Sequence, residues 1–175
     1  MNYWVFVVTN QEDVSARAIM GKRFADEFWG LGEDTAHRQR VQKGDRVIFY
    51  LGKPESVFSG QAVLKSGSFE LTQDQVERYS RVDTNIFDAK YGVELEDCKE
   101  WPEHNSISVE EIAPKLDLIE NETYWWAYFQ GGIRQITEAD YETIVDSKAL
   151  VSGGGTLDGR ETETVAQFEL VPRQG

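Results

Sequence analysis

Val41-Gln42-Lys43-Gly44-Asp45-Arg46-Val47-Ile48-Phe49-Tyr50 decides how this chain can fold. Lys43-Gly44-Asp45 is a turn, and the residues from Arg46 to Leu51 are an apolar strand. After a loop holding Pro54, residues 57–71 alternate around Gly60 and form a long strand. A turn, an apolar strand and a second β run in succession are the layout of a small barrel. Upstream, residues 3–9 (Tyr-Trp-Val-Phe-Val-Val-Thr) run without a polar break. Such a run predicts a first strand in the interior, covered on both faces.

Between these strands, residues 14–28 carry apolar side chains at helical spacing, with Gly21 as a point where the helix can break. Phe28-Trp29-Gly30-Leu31-Gly32 reads as an aromatic hinge between glycines, and residues 33–41 as a short charged helix. Downstream, Thr72 and Gln75 have the spacing that opens a helix, and residues 85–96 form a strand with Phe87, Tyr91, Val93 and Leu95 on one side. Residues 98–106 are irregular around Pro102, and Trp101 anchors that loop by packing. Ser108-Val109-Glu110-Glu111 is a capping box for a helix over 109–116. Thr137-Glu138-Ala139-Asp140 opens a last helix to about Ser147. A glycine-rich loop over 152–159 and one more strand over 162–171 complete the chain. The fold class is α+β: a small curved β-barrel of five or six strands flanked by short helices. Residues 1–150 form the domain, and 151–175 are a glycine-rich loop with an extra strand or linker.

Composition narrows the function. The 175 residues carry a net charge of −13, which opposes binding to phosphates. Its distribution is uneven: residues 1–66 hold 9 Lys/Arg against 8 Asp/Glu, and residues 67–175 hold 9 against 23. Basic residues gather at Arg17, Lys22 and Arg23 and again at Arg38, Arg40, Lys43 and Arg46, so a locally basic face can exist on an acidic protein. No run of 18 apolar residues exists to span a membrane. A single cysteine, Cys98, excludes an internal disulfide, and the cytoplasm is the expected compartment. His37 and His104 have no partners at metal-ligand spacing, and Cys98 lacks an activating base. No hydrolase, phosphate-loop or metalloprotease motif occurs, so neither catalysis nor a cofactor is expected.

The segment 124–137, Tyr-Trp-Trp-Ala-Tyr-Phe-Gln-Gly-Gly-Ile-Arg-Gln-Ile-Thr, packs five aromatics into six residues before two glycines and Arg134. Residues 125–130 are read as a strand or a tight turn. If they are a strand, alternation turns only one of Trp125 and Trp126 inward. Flat rings beside glycines suit a wall that stacks on a flat ligand such as a nucleobase. The competing reading is an aromatic core segment ending in a turn.

Four local signatures occur in a fixed order: Tyr3-Trp4-Val5-Phe6-Val7-Val8-Thr9-Asn10, then Phe28-Trp29-Gly30-Leu31, then Val41 to Tyr50, then Leu116-Asp117-Leu118-Ile119 through Trp125, Phe129-Gln130-Gly131, Arg134 and Ile136 to Tyr141. This order resembles the EVE domain family, a branch of the PUA-like superfamily related to YTH and ASCH domains. The resemblance covers residues 2–150. The spacing from Gly131 to Arg134 is one residue shorter than the family's. The resemblance implies a strongly curved small barrel with a pocket for a base, often modified, turned out of DNA or RNA. It places Trp4, Thr9, Asn10, Trp29, Gly30, Leu31, Trp125, Trp126, Phe129 and Gln130 at that pocket. Lys22, Arg23, Arg38, Arg40, Lys43 and Arg134 are candidates for phosphate contacts. The implied function is a non-enzymatic reader of modified DNA, such as modified cytosine, in a restriction or defence setting, with a nuclease or translocase as partner. An RNA-modification reader, a PUA-like enzyme or small-molecule binder, and a protein-interaction module are the alternatives.

Overall fold

A computed structural model describes residues 1–11, 14–80, 89–129 and 132–154. Two units divide the chain, Met1–Tyr141 and Glu142–Gly175. In the first unit the strands are β1 (Tyr3–Val8), β2 (Phe28–Gly32), β3 (Arg46–Leu51), β4 (Val57–Leu64), β5 (Phe69–Glu70), β6 (Ala89–Glu100), β7 (Ile107–Ser108) and β8 (Ile133–Ile136). Six of them pair in the order β2-β6-β4-β3-β1-β8, a curled and open half-barrel, while the two-residue strands β5 and β7 attach to β6 and β4. Every pairing is antiparallel except β1 with β3, which are parallel from Tyr3 opposite Arg46 to Val8 opposite Leu51.

The turn before β3 builds this sheet. Gly44 has φ +92, a conformation that glycine adopts without a Cβ penalty. The turn delivers the buried Asp45 carboxylate to three donors: the Asn2 N–H, the Gln42 N–H and the Trp4 indole Nε1, each at 2.9 Å. One side chain therefore closes its own turn and pins the start of β1 beside β3. Asp140, just after β8, accepts the N–H groups of Asp117 (2.8 Å) and Leu118 (2.9 Å) and so ties the 117–118 segment to the end of that strand.

Both faces of the sheet are covered, as the unbroken apolar run of β1 predicts. On the concave face Trp4, Phe6 and Val8 join Val47, Phe49 and Leu51 under helix α1 (Ala16–Asp26), which contributes Ile19, Met20 and Phe24. On the other face Tyr50 and Phe58 meet Phe129, with ring centroids 5.0 and 5.6 Å away. Helix α1 starts where the Ser15 side chain accepts the Ala18 N–H, and ends at Glu27, whose left-handed conformation (φ 54) turns the chain into β2. It runs unbroken through Gly21, where an added Cβ would meet the Glu100 carboxylate at 3.4 Å.

Several local expectations hold and several change. Thr72 and Gln75 exchange reciprocal hydrogen bonds at the start of helix α2 (Gln73–Ser80), and the Ser108 hydroxyl caps α3 (Val109–Ile112). The expected helix over 33–41 is only a 3-10 turn at Arg38–Arg40. The expected hinge at 28–32 is the edge strand β2, because Gly30 faces Gly92 of β6 and a ladder forms between them. The long strand over 57–71 is interrupted between β4 and β5. Of the two readings of residues 125–130, strand and tight turn, the structure takes the second as far as they are described: Glu122–Phe129 is two short 3-10 turns joined across a kink at Tyr124 (φ −115, ψ 37). Helix α4 (Glu138–Gly154) extends past Ser147 into the expected glycine-rich loop. Phe87, the rest of that loop and the strand over 162–171 lie outside the described residues.

Candidate functional site

The half-barrel is open between its terminal strands β2 and β8, and a cavity of about 280 Å³ sits there. Its floor is the exit of β1, with Val7, Val8 and Thr9, and one wall is the run from Trp29 to Gly32 on β2. Helix α1 contributes Ile19 and Arg23, while Gln11, Thr35, Ala89 and Gly132 complete the rim. Among the described residues β2 pairs with β6 and with no other named strand, so its second backbone edge is left for whatever occupies the cavity.

Trp29 is 7% exposed, with its ring 4.9 Å from Phe49 and 6.1 Å from Phe6. It is both a core side chain and a cavity wall. Arg23, 4% exposed, brings its guanidinium 5.6 Å from the Phe28 ring centroid. Burial makes it a cavity-lining group rather than part of an exposed basic face. An arginine offers only donors, whereas Thr9, Thr35 and Gln11 can donate and accept. Gln11 reaches the Thr9 hydroxyl through its Nε2 at 3.5 Å. The apolar remainder comes from Val8, Ile19 and Leu31.

Of the residues the resemblance places at the pocket, Thr9, Trp29, Gly30 and Leu31 converge on this cavity. Trp4 does not line it: it is fully buried, its indole held by Asp45. Asn10 lies beside it, but its side-chain oxygen accepts the Ala16 N–H at 2.8 Å and secures the entry to α1. Trp125, Trp126 and Phe129 do not line it. The 3-10 helix anchors Phe129 on the Tyr50 face of β3, opposite the Phe49 face that touches Trp29, and leaves Trp126 exposed. Gln130 lies outside the described residues. Sequence reasoning missed Gln11 and Thr35. Gln11 follows Asn10 directly and was within reach of a closer reading of the strand exit; Thr35 sits in a charged stretch with no pattern to mark it.

The cationic candidates separate in the same way. Arg38 stacks on the Tyr91 ring at 3.6 Å from its centroid, and Arg40 lies 6.0 Å from the Trp4 ring and 3.4 Å from His37 Nδ1. With Thr35, His37 and Gln39 they line a shallow depression whose Thr35 also belongs to the cavity. Lys22 and Lys43 are exposed. Arg134 donates to the Tyr128 carbonyl at 3.3 Å and lies over the Tyr128 ring, tied to the aromatic turn. Burial first, then Glu27 and Asp97, push the Cys98 thiol up to about 11, so it stays protonated near neutral pH and is a poor nucleophile. No three His, Cys, Asp or Glu side chains converge as a metal site among the described residues, and no helix there is long and apolar enough to cross a membrane.

No protein-family model and no curated protein matches the chain. Solved structures do. The N-terminal domain of Thermococcus gammatolerans McrB bound to m5C DNA is similar at a TM-score of 0.56 and 14% identity, over 86% of this chain and 99% of that one. Human THYN1 in complex with 5-methylcytosine-containing DNA gives 0.54 at 10% identity, over 90% and 100%. An ASCH protein from Zymomonas mobilis gives 0.51 at 12% identity, over 83% and 95%. At these identities the likeness bears on architecture alone: the curled half-barrel with short helices is the fold this chain shares with those structures.

Proposed function

We propose that this chain is a non-enzymatic reader of modified DNA that receives a flipped base, with modified cytosine as its target, in the cavity between β1, β2 and α1. The observation that carries the reading is the convergence of Trp29, a free strand edge and the buried Arg23 on one cavity of about 280 Å³. That volume is just below the roughly 300–1,000 Å³ of small-molecule sites. The m5C DNA and 5-methylcytosine DNA in the McrB and THYN1 structures supply the class of ligand.

The energetics are consistent with it. Unstacking and unpairing a base costs a few kcal/mol. Stacking on one aromatic face returns about 1–3 kcal/mol. Hydrogen bonds from the β2 edge, Thr9, Gln11 and Arg23 to the base edge add the selective part. Val8, Ile19 and Leu31 supply apolar contact for a methyl group. Arg38 and Arg40, joined to the cavity through Thr35, and the exposed Lys22 and Lys43 take the flanking phosphates, so binding is salt-dependent in spite of the overall acidity. A reader of this kind acts by recruiting an effector, and a nuclease or translocase is the proposed partner.

Anisotropy titration of matched duplexes carrying 5-methylcytosine or cytosine tests this. The methylated duplex should bind more tightly, and folded Trp29→Ala should lose about 1–3 kcal/mol on both. Equal affinity for the two duplexes would sink the modified-base reading. Tighter binding of a methylated RNA would move the target to RNA, and release of a chemically altered base on incubation would make the chain an enzyme.

A further inference from the structure

Among the described residues an exposed aromatic cluster stands outside the lining of the cavity. Tyr124 and Trp126 are 55% and 40% exposed, which among the described large hydrophobic side chains only Met1 surpasses or matches. Trp126 sits at the centre of an edge-to-face cluster, 5.3 Å from Tyr124 and 6.2 Å from Trp125 between ring centroids. The turn that presents them is held from below. Phe129 is buried against Tyr50 and Phe58, and the Tyr128 hydroxyl accepts the N–H groups of Glu120 (3.2 Å) and Asn121 (3.3 Å). The Asn121 side chain accepts the Thr123 N–H at 3.1 Å. These contacts tie down the backbone beneath the rings, which lowers the ordering cost of binding a partner.

The charge around them is predominantly negative, with Arg134, held on the Tyr128 carbonyl and ring, as a nearby cation. Residues 101–129 contain one lysine, Lys115, and no arginine, against six exposed acids: Glu103, Glu110, Glu111, Asp117, Glu120 and Glu122. Glu120 and Glu122 flank the rings in sequence. A phosphate backbone is repelled by such a surface, so the cluster is ill suited to extend a nucleic-acid site. A guanidinium satisfies both features, because its flat face stacks on Trp and Tyr while its charge pairs with carboxylates.

We propose that the 120–128 turn is a docking surface for an arginine-bearing segment of a partner protein, separate from the base-binding cavity. Arginine is preferred over lysine because an ammonium is more strongly hydrated and cannot stack in the same way.

The test uses the full chain and an arginine-rich amphipathic peptide, with the same sequence in lysine as control, followed by tryptophan fluorescence and calorimetry. Any acidic protein attracts a basic peptide, so the deciding variants are neutral ones. Trp126→Ala and Tyr124→Ala leave the charge unchanged and remove exposed rings, so they fold; each should weaken the arginine peptide about 5-fold or more. Trp126→Ala should leave binding of a methylated duplex as in the parent. Glu120→Gln with Glu122→Gln should weaken the peptide and flatten its salt dependence. Peptide affinity unchanged in Trp126→Ala, or equal for arginine and lysine peptides, overturns the proposal. Loss of duplex binding in Trp126→Ala overturns it in favour of a nucleic-acid surface. A sedimentation-detected dimer that Trp126→Ala abolishes overturns it in favour of a second copy of this chain.

Discussion

Two aromatic segments, β2 and the kinked 3-10 segment Glu122–Phe129, look alike in composition and have opposite fates. The first places two rings beside glycines, and both are buried: Phe28 fully and Trp29 to 7% exposure. The second carries five rings in eight residues, yet only Phe129 is buried. The difference is the backbone partner. β2 has β6, and the ladder from Phe28 opposite Glu94 to Gly32 opposite Ala89 turns Trp29 toward Phe49 and the cavity. Glu122–Phe129 belongs to no strand ladder; it is two 3-10 turns kinked at Tyr124, and of its rings only the one that reaches Tyr50 and Phe58 is buried. Ring count signals a surface or a core; the hydrogen-bond partner decides which.

The largest expected effect tests that anchor. Phe129→Ala should cost about 3–5 kcal/mol, the range for emptying a buried aromatic site. It should also release the turn, which chemical denaturation and tryptophan emission would report together. A loss under about 1 kcal/mol would mean that Phe129 does not hold the turn, and the contrast between the two segments would fail.

A smaller loss is expected where β2 meets β6. A Cβ at Gly92 would overlap the Phe28 ring and approach the Trp29 carbonyl at 3.1 Å. Gly92→Ala should therefore cost about 1–3 kcal/mol through overpacking, and shift the strand that carries Trp29. Duplex binding should fall along with stability. Full binding in a destabilised Gly92→Ala protein would separate the cavity from the position of β2.

The sheet was readable in advance for the same reason. Residues whose neighbours along the chain dictate their role were legible: Gly44 and Asp45 in their turn, the unbroken run of β1, Thr72 with Gln75, and Ser108 with Glu111. Side chains whose role depends on distant pairing were not. Phe28–Gly32 read as a hinge because nothing near it announces Gly92, more than fifty positions later. The cavity was half legible. Thr9 and Trp29 to Leu31 could be placed through the ordered signatures, while Thr35 reaches the rim only because the chain folds back there after β2. The expected aromatic wall at Trp125 and Trp126 came from the resemblance, and neither ring lines the cavity because their turn is anchored through Phe129 on the Tyr50 face of β3.

Trp126→Ala should change stability by no more than about 0.5 kcal/mol, as for a surface position away from caps and buried networks. Set beside Phe129→Ala, it measures the contrast within a single turn. A thermal or urea midpoint well below the parent's would show that Trp126 packs into the core rather than facing a partner.

The smallest effect is optical and carries no stability change. Trp29 is buried and Trp126 is 40% exposed beside Glu120 and Glu122, so a water-borne quencher should reach the second ring and not the first. Caesium should be drawn to that acidic surface and iodide repelled from it, so caesium should quench the accessible emission more than its intrinsic efficiency predicts, and iodide less. Acrylamide, being neutral, supplies the reference for exposure alone. The imbalance should shrink as inert salt is raised, because charges separated by more than about 8–10 Å are screened near physiological ionic strength. Trp126→Phe should remove most of the charge-sensitive component and leave the protected emission from the buried Trp4, Trp29 and Trp101 in place. If iodide and caesium, each corrected against acrylamide, quench alike at low salt, the carboxylates do not govern the approach to Trp126. The arginine preference of the turn would then lose its electrostatic half, leaving ring stacking to account for any peptide that binds.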